Sequence, residues 1–156
     1  MRVTPAIGVV ALALVVAPAT QSPVKQATQA PFHCRTTAPN GNVPSGTPTS
    51  FFGNGRLATV AYRVIDVTPR TRNPDGSISE KFPWWAAPDV QGDLVIGGHR
   101  LDRRGGRVTG RVNPGFVESN PNRFWAVGVR FPTVGCWKVT GTVGADSLSL
   151  VVRVAR

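Results

Sequence analysis

Apolar residues return at every second position through most of the chain after residue 56. In Arg56 to Asp66, RLATVAYRVID, Ala58, Val60, Tyr62 and Val64 fall on one side and Thr59, Ala61 and Arg63 on the other. Successive side chains of a strand point to opposite faces, so this alternation predicts a half-buried strand. The pattern recurs with Ile78, Glu80 and Phe82 against Ser79 and Lys81, and again with Leu94 and Ile96. It returns in Trp125, Val127, Val129 and Phe131 against Phe124, Ala126 and Arg130. Trp137 and Val139 alternate with Lys138 and Thr140, and Leu148, Leu150, Val152 and Val154 with Ser147, Ser149 and Arg153. Val108 and Val112 mark one more short strand. Turn residues separate these runs, as in Asn73-Pro74-Asp75-Gly76, where Pro presets φ and Gly permits a left-handed backbone. Pro83 lacks an N–H, so the strand before it is expected to end there or to run along an edge. Six or seven short strands with no helical period predict an all-β, antiparallel sandwich or small barrel.

The last 26 residues narrow the choice. Gly135-Cys136-Trp137-Lys138-Val139 opens a strand after a loop and is followed by a tight turn and a closing strand. Gly-x-Tyr-x-Cys opens the penultimate strand of many immunoglobulin-like domains, the Tyr at a corner and the Cys in the core. Gly135, Trp137 and Val139 take those three places, so an immunoglobulin-like β-sandwich is the expected fold. Cys136 is then out of phase with the core and faces outward.

The first residues differ from the rest. Ala6 to Ala17 is an unbroken apolar run of 12 residues behind Arg2, and Ala17-Pro18-Ala19 supplies small residues two apart. This is the form of a secretory signal peptide, residues 1–19, too short to span a bilayer comfortably. Secretion or envelope association follows, with an uncleaved N-terminal anchor as the alternative. Residues 20–50 are rich in Pro, Thr and Asn and read as an arm or linker. Residues 51–156 form the sandwich domain. Cys34 and Cys136 are the only cysteines. In an oxidising compartment they make one disulfide, which clamps the arm along the outside of the body.

Several stretches resemble a family of small secreted bacterial proteins of unknown function: CRTTAPNGNVPSG from Cys34, FFGNGRLAT from Phe51, DGSISEKFPWW from Asp75, GDLVIGGHRLD from Gly92 and FPTVGCWKVTGTVGADSLSLVVRV from Phe131. The resemblance covers Cys34 to Val154, and its closing motif is the most specific part. The family's usual Trp after Gly-Asn-Gly-x-Leu is Ala58 here. The resemblance implies export and a β-sandwich, and no chemistry.

Charge and chemistry add less. The formal net charge is +10, and +9 once Arg2 leaves with the signal. Such a charge draws a domain toward anions. An envelope polymer, a glycan or an acidic protein surface is the expected partner of a monomer. No nucleic-acid recognition motif appears, and no second apolar segment follows the signal. Arg100, Arg103, Arg104, Arg107 and Arg111 form the densest basic run. Its functional reading is an anion patch, because guanidinium binds carboxylate and phosphate through a planar fork. The plainer reading is a solvated loop with Arg100 paired to Asp102. Trp84 and Trp85 are adjacent, so one is expected in the core. The other packs over the arm or an Arg stem, or offers a stacking platform to a sugar. The carboxylates are scattered, His33 and His99 are the only histidines, and no nucleophile elbow or metal-ligand cluster stands out. No catalytic residue, metal or cofactor is expected. A carbohydrate hydrolase or a protease inhibitor, the latter using the Asp66–Gly76 loop, is the alternative on the same scaffold.

Overall fold

The computed structural model describes residues 32–113 and 122–156. The expected signal, residues 1–19, lies outside them. Nine strands follow in order: β1 Phe52–Gly53, β2 Leu57–Thr59, β3 Val64–Asp66, β4 Ile78–Ala86, β5 Leu94–Arg100, β6 Arg107–Val112, β7 Arg123–Phe131, β8 Gly135–Val143 and β9 Asp146–Ala155. The described residues contain no helix. The strands form one curled sheet in the order β1-β2-β4-β7-β6-β5-β8-β9-β3. Every pair is antiparallel except β3 with β9, which is parallel, so the sheet is mixed rather than wholly antiparallel.

The curl brings β2, β4 and β7 against β5, β8 and β9 around one hydrophobic cluster. Phe82 on β4 packs toward Phe131 on β7, and Phe131 toward Trp137 on β8. Trp84 on β4 reaches across to β8, where only glycine fits: a Cβ on Gly141 would meet its ring. β6 joins the two halves. Its Thr109 pairs with Gly97 of β5 and also with Arg130 of β7. The inward sets expected on β5, β7, β8 and β9 are the buried ones.

One local expectation is corrected and another is decided between its two readings. RLATVAYRVID is not one strand. β2 leaves β4 at Thr59, and the chain crosses the open end to join β9 as β3. The crossing shifts the phase, so Val64 is 46 % exposed while Ile65 is buried. Tyr62, in the crossing, donates its hydroxyl to the Lys81 carbonyl. Of the two readings of Pro83, the strand does not end there, since β4 runs through it to Ala86, paired to β7 throughout; it lies instead on an open edge, because β2 reaches only to Trp84. The Thr59 hydroxyl donates to the Pro83 carbonyl, which therefore faces the β2 side. The N and O of one strand residue share a side. The missing N–H thus falls beyond the end of β2 and costs the β7 ladder nothing.

Residues 32–50 form no strand, yet they are tied down. Cys34 and Cys136 are joined by a disulfide with Cα atoms 5.5 Å apart. Cys136 lies out of phase with Trp137 and Val139, as expected, and is buried under the arm instead of in the core. Beyond it, Thr37 and Val151 on the β9 edge exchange two hydrogen bonds, Thr37 N–H to the Val151 carbonyl and Val151 N–H to the Thr37 hydroxyl. The Asn40 amide bonds both the N–H and the carbonyl of Gly53, as a neighbouring strand would. The Asn54 side chain caps the turn into β2 and donates to the Ser147 carbonyl.

Candidate functional site

The adjacent tryptophans divide as strand geometry requires. Trp84 is wholly buried. Trp85, on the outer face, stacks on Phe51 at 4.7 Å between centroids and meets Phe124 at 5.2 Å. It is therefore the middle of an aromatic stack, not an open platform. Ala58, its cross-strand neighbour, is fully buried beside it.

Arg100 stands apart from the other arginines of its run. It is in phase with Leu94 and Ile96, so β5 turns it inward, where its side chain is only 7 % exposed. The guanidinium sits 5.4 Å from the Trp137 ring centroid and against Gly135. It forks onto Asp102, with Nε–Oδ1 at 2.6 Å and Nη2–Oδ2 at 3.0 Å. That hydrogen bonding holds the Asp102 carboxyl below its ordinary pKa. Trp137 in turn donates Nε1–H to the Thr133 carbonyl. The group is closed on itself.

Arg103 and Arg104 are exposed in the β5–β6 turn, and Arg107 and Arg111 project outward from β6. None of the four joins an ion pair among the described residues. The neighbouring Arg130 is paired with Asp75. The other paired carboxylates, Asp89 and Asp146, both grip Arg56, whose hydrogen bonds hold Asp89 below its usual range. The Asp66–Gly76 loop is braced by Thr68 N–H bonding the Thr71 hydroxyl and by the Asn73 amide, which donates to the hydroxyls of Ser77 and of Ser79 on β4.

Sheet register sets Trp85 far from the arginine turn. Trp85 pairs with Phe124 at one end of β7, and Thr109, just past Arg107, pairs with Arg130 near the other. Six residues of strand separate these rows, about 20 Å. The tryptophan and arginine candidates are two places, not one.

Between them lies a groove of about 480 Å³ on the outer face of β4, β7 and β6. Its rows are set by register. Lys81, Gly128 and Arg111 stand side by side, because both Lys81 and Arg111 pair with Gly128. The next row holds Pro83 and Ala126, with Asn113 bonded through its N–H to the Ala126 carbonyl. Phe124 closes that end. Gly128 has open space where a Cβ would be, so two exposed cations flank a notch. No described lining residue carries a carboxylate. The alternation had already set Lys81, Phe124 and Ala126 outward. The strand order that aligns them is not written in any local pattern. An isolated glycine in a strand, Gly128, was the available signal.

Among the described residues no group of acidic, His or Cys side chains is placed to hold a metal ion, and no helix is long and apolar enough to cross a membrane. No family model, curated protein or solved structure matches the chain.

Proposed function

We infer that the chain is a secreted, non-catalytic bacterial protein that binds an anionic polymer of its envelope or surroundings through its outer β6 surface. The observation that carries this is the line of exposed cations at Arg103, Arg104, Arg107 and Arg111, without an ion-pair partner among the described residues, continued across β7 by Lys81. Such a line attracts a linear polyanion at many points at once. Export is supported by the Ala6–Ala17 run and the small residues after it, and by a cysteine pair joined as oxidising compartments allow. The fold is read as an immunoglobulin-like sandwich. β6 shared between the two halves and a first segment divided between β4 and β9 support it, since strands that switch sheets make the corners of sandwiches. The motifs that carry the family resemblance are used for packing. Asn40 and Asn54 build the turn into β2, Trp84 and Trp137 fill the core, and Arg100 and Asp102 close its end. This leaves the outer face for binding. The test is binding of the exported protein to dextran sulfate. Arg103→Ser/Arg104→Ser should weaken binding about fivefold or more, and adding Arg107→Ser further still. Equal affinity in parent and variants sinks the reading.

A further inference from the structure

The groove on β4, β7 and β6 adds a subsite to this surface. We propose that the Gly128 notch binds the carboxylate of an acidic sugar, a uronic acid unit, whose ring lies over Pro83 and Ala126 toward Phe124. The proposal rests on the polymer-binding reading and names which anion the surface selects.

The argument starts from one missing side chain. Outward positions on a sheet face are usually filled, and adjacent strands lie about 4.8 Å apart. Lys81 and Arg111 therefore stand about 10 Å apart with only Gly128 between them. An anion seated there meets an ammonium from one side and a guanidinium fork from the other. Nothing acidic among the described lining residues competes for them.

The rest of the groove is not shaped for a bare anion. Pro83 and Ala126 make a low apolar floor one row on, and Phe124, backed by Trp85 and Phe51, makes an aromatic wall. Asn113 lines the same groove and supplies amide donors and an acceptor for hydroxyl groups. The volume lies within the about 300–1,000 Å³ usual for small-molecule sites. A uronic acid has the matching order of groups: a carboxylate at one end, a C–H face, and hydroxyls at the edge. A phosphate chain satisfies the cations and leaves floor and wall without a partner. A sulfate ester stands off its sugar on an extra oxygen, so that an anion seated in the notch holds the ring farther from the floor than a carboxylate bonded directly to a ring carbon. The line from Arg103 to Arg111 leads into the notch, so a polymer held by the one is delivered to the other.

Gly128 allows a clean test. Its φ is not in the left-handed region and its Cβ position is open. Gly128→Val fills the notch without touching the core and should melt at or above the parent, because Val suits a strand better than Gly. Calorimetric titrations of the full exported chain would use oligogalacturonate, its methyl ester and dextran sulfate. The parent should bind oligogalacturonate about tenfold or more tighter than the neutral ester. Gly128→Val should lose most of that preference, keeping the part that the arginine line supplies, and keep its affinity for dextran sulfate. If Gly128→Val melts early, Lys81→Gln/Arg111→Gln, at two exposed positions that also belong to the cation line, decides by whether the acid-over-ester preference falls by more than the affinity for dextran sulfate. Undiminished preference in the folded variants overturns the notch and leaves the arginine surface standing. Equal affinity of the parent for acid and ester overturns the notch, and the arginine surface then stands or falls on the binding of dextran sulfate. A parent that binds neither dextran sulfate nor oligogalacturonate overturns both.

Discussion

Arg100 and Trp137 share one end of the core, and each depends on the other. Trp137 is wholly buried, and Gly106, at φ 83°, lies so close under its ring that no side chain fits there. Trp137→Ala should cost about 3–5 kcal/mol, the usual range for a large buried aromatic. A chemical denaturation curve reads this, and a midpoint near the parent's would contradict the packing. Asp102 gives a pH signature. Arg100 lowers its pKa in the folded chain. The resulting stabilisation is in place above about pH 4, where the unfolded carboxyl is ionised, and is lost as pH falls through the lower folded value. Asp102→Asn should cost about 1.5–3 kcal/mol near neutral pH, the scale of a charged hydrogen bond. Its stability should also fall less steeply with acid. Parallel acid-side slopes for parent and variant would contradict the pairing.

At the scale of the element, alternation named the inward residues of β5, β7, β8 and β9 because each has one wet face and one dry one. It failed where that condition failed. β2 is buried on both faces, at Leu57, Ala58 and Thr59, and β3 belongs to a different neighbour, so one run of eleven residues concealed two strands. Pro83 left two readings open, a strand end or an edge, because its effect depends on which side the neighbour lies, and sequence does not say. The outward phase of Cys136 was legible from Trp137 and Val139, and with it the course of the arm. The groove was not, since Lys81, Gly128 and Arg111 come from three strands whose order only the fold supplies. The arm itself is testable. The disulfide closes 102 residues, worth about 4–5 kcal/mol in the chain-entropy account. Cys34→Ser/Cys136→Ser should lower stability by up to that amount, and the parent should show no reactive thiol when denatured without reductant. A free thiol there would exclude the strap.

For the whole molecule the excess of cations sets how it meets a partner. A net charge of +10, or +9 after loss of Arg2, is felt over about 8 Å at physiological salt and about 30 Å at 0.01 M. Polymer binding should therefore weaken about tenfold or more as salt rises across that range, chiefly through slower association. Affinity that ignores salt would place binding on apolar contacts alone. The strap from Cys34 also determines how the body carries load. When the polypeptide is stretched between its ends, tension entering at Cys34 passes through the sulfur bridge directly to the start of β8. Residues 35–135 are left out of the path, with the groove and the arginine line among them. Only β8, β9 and their immediate partners resist, and roughly 340–370 Å of chain, the 102-residue separation of the two cysteines, stays folded in reserve until the bridge is reduced. Pulled between its ends, the chain can thus be stretched without tension reaching the groove or the arginine line.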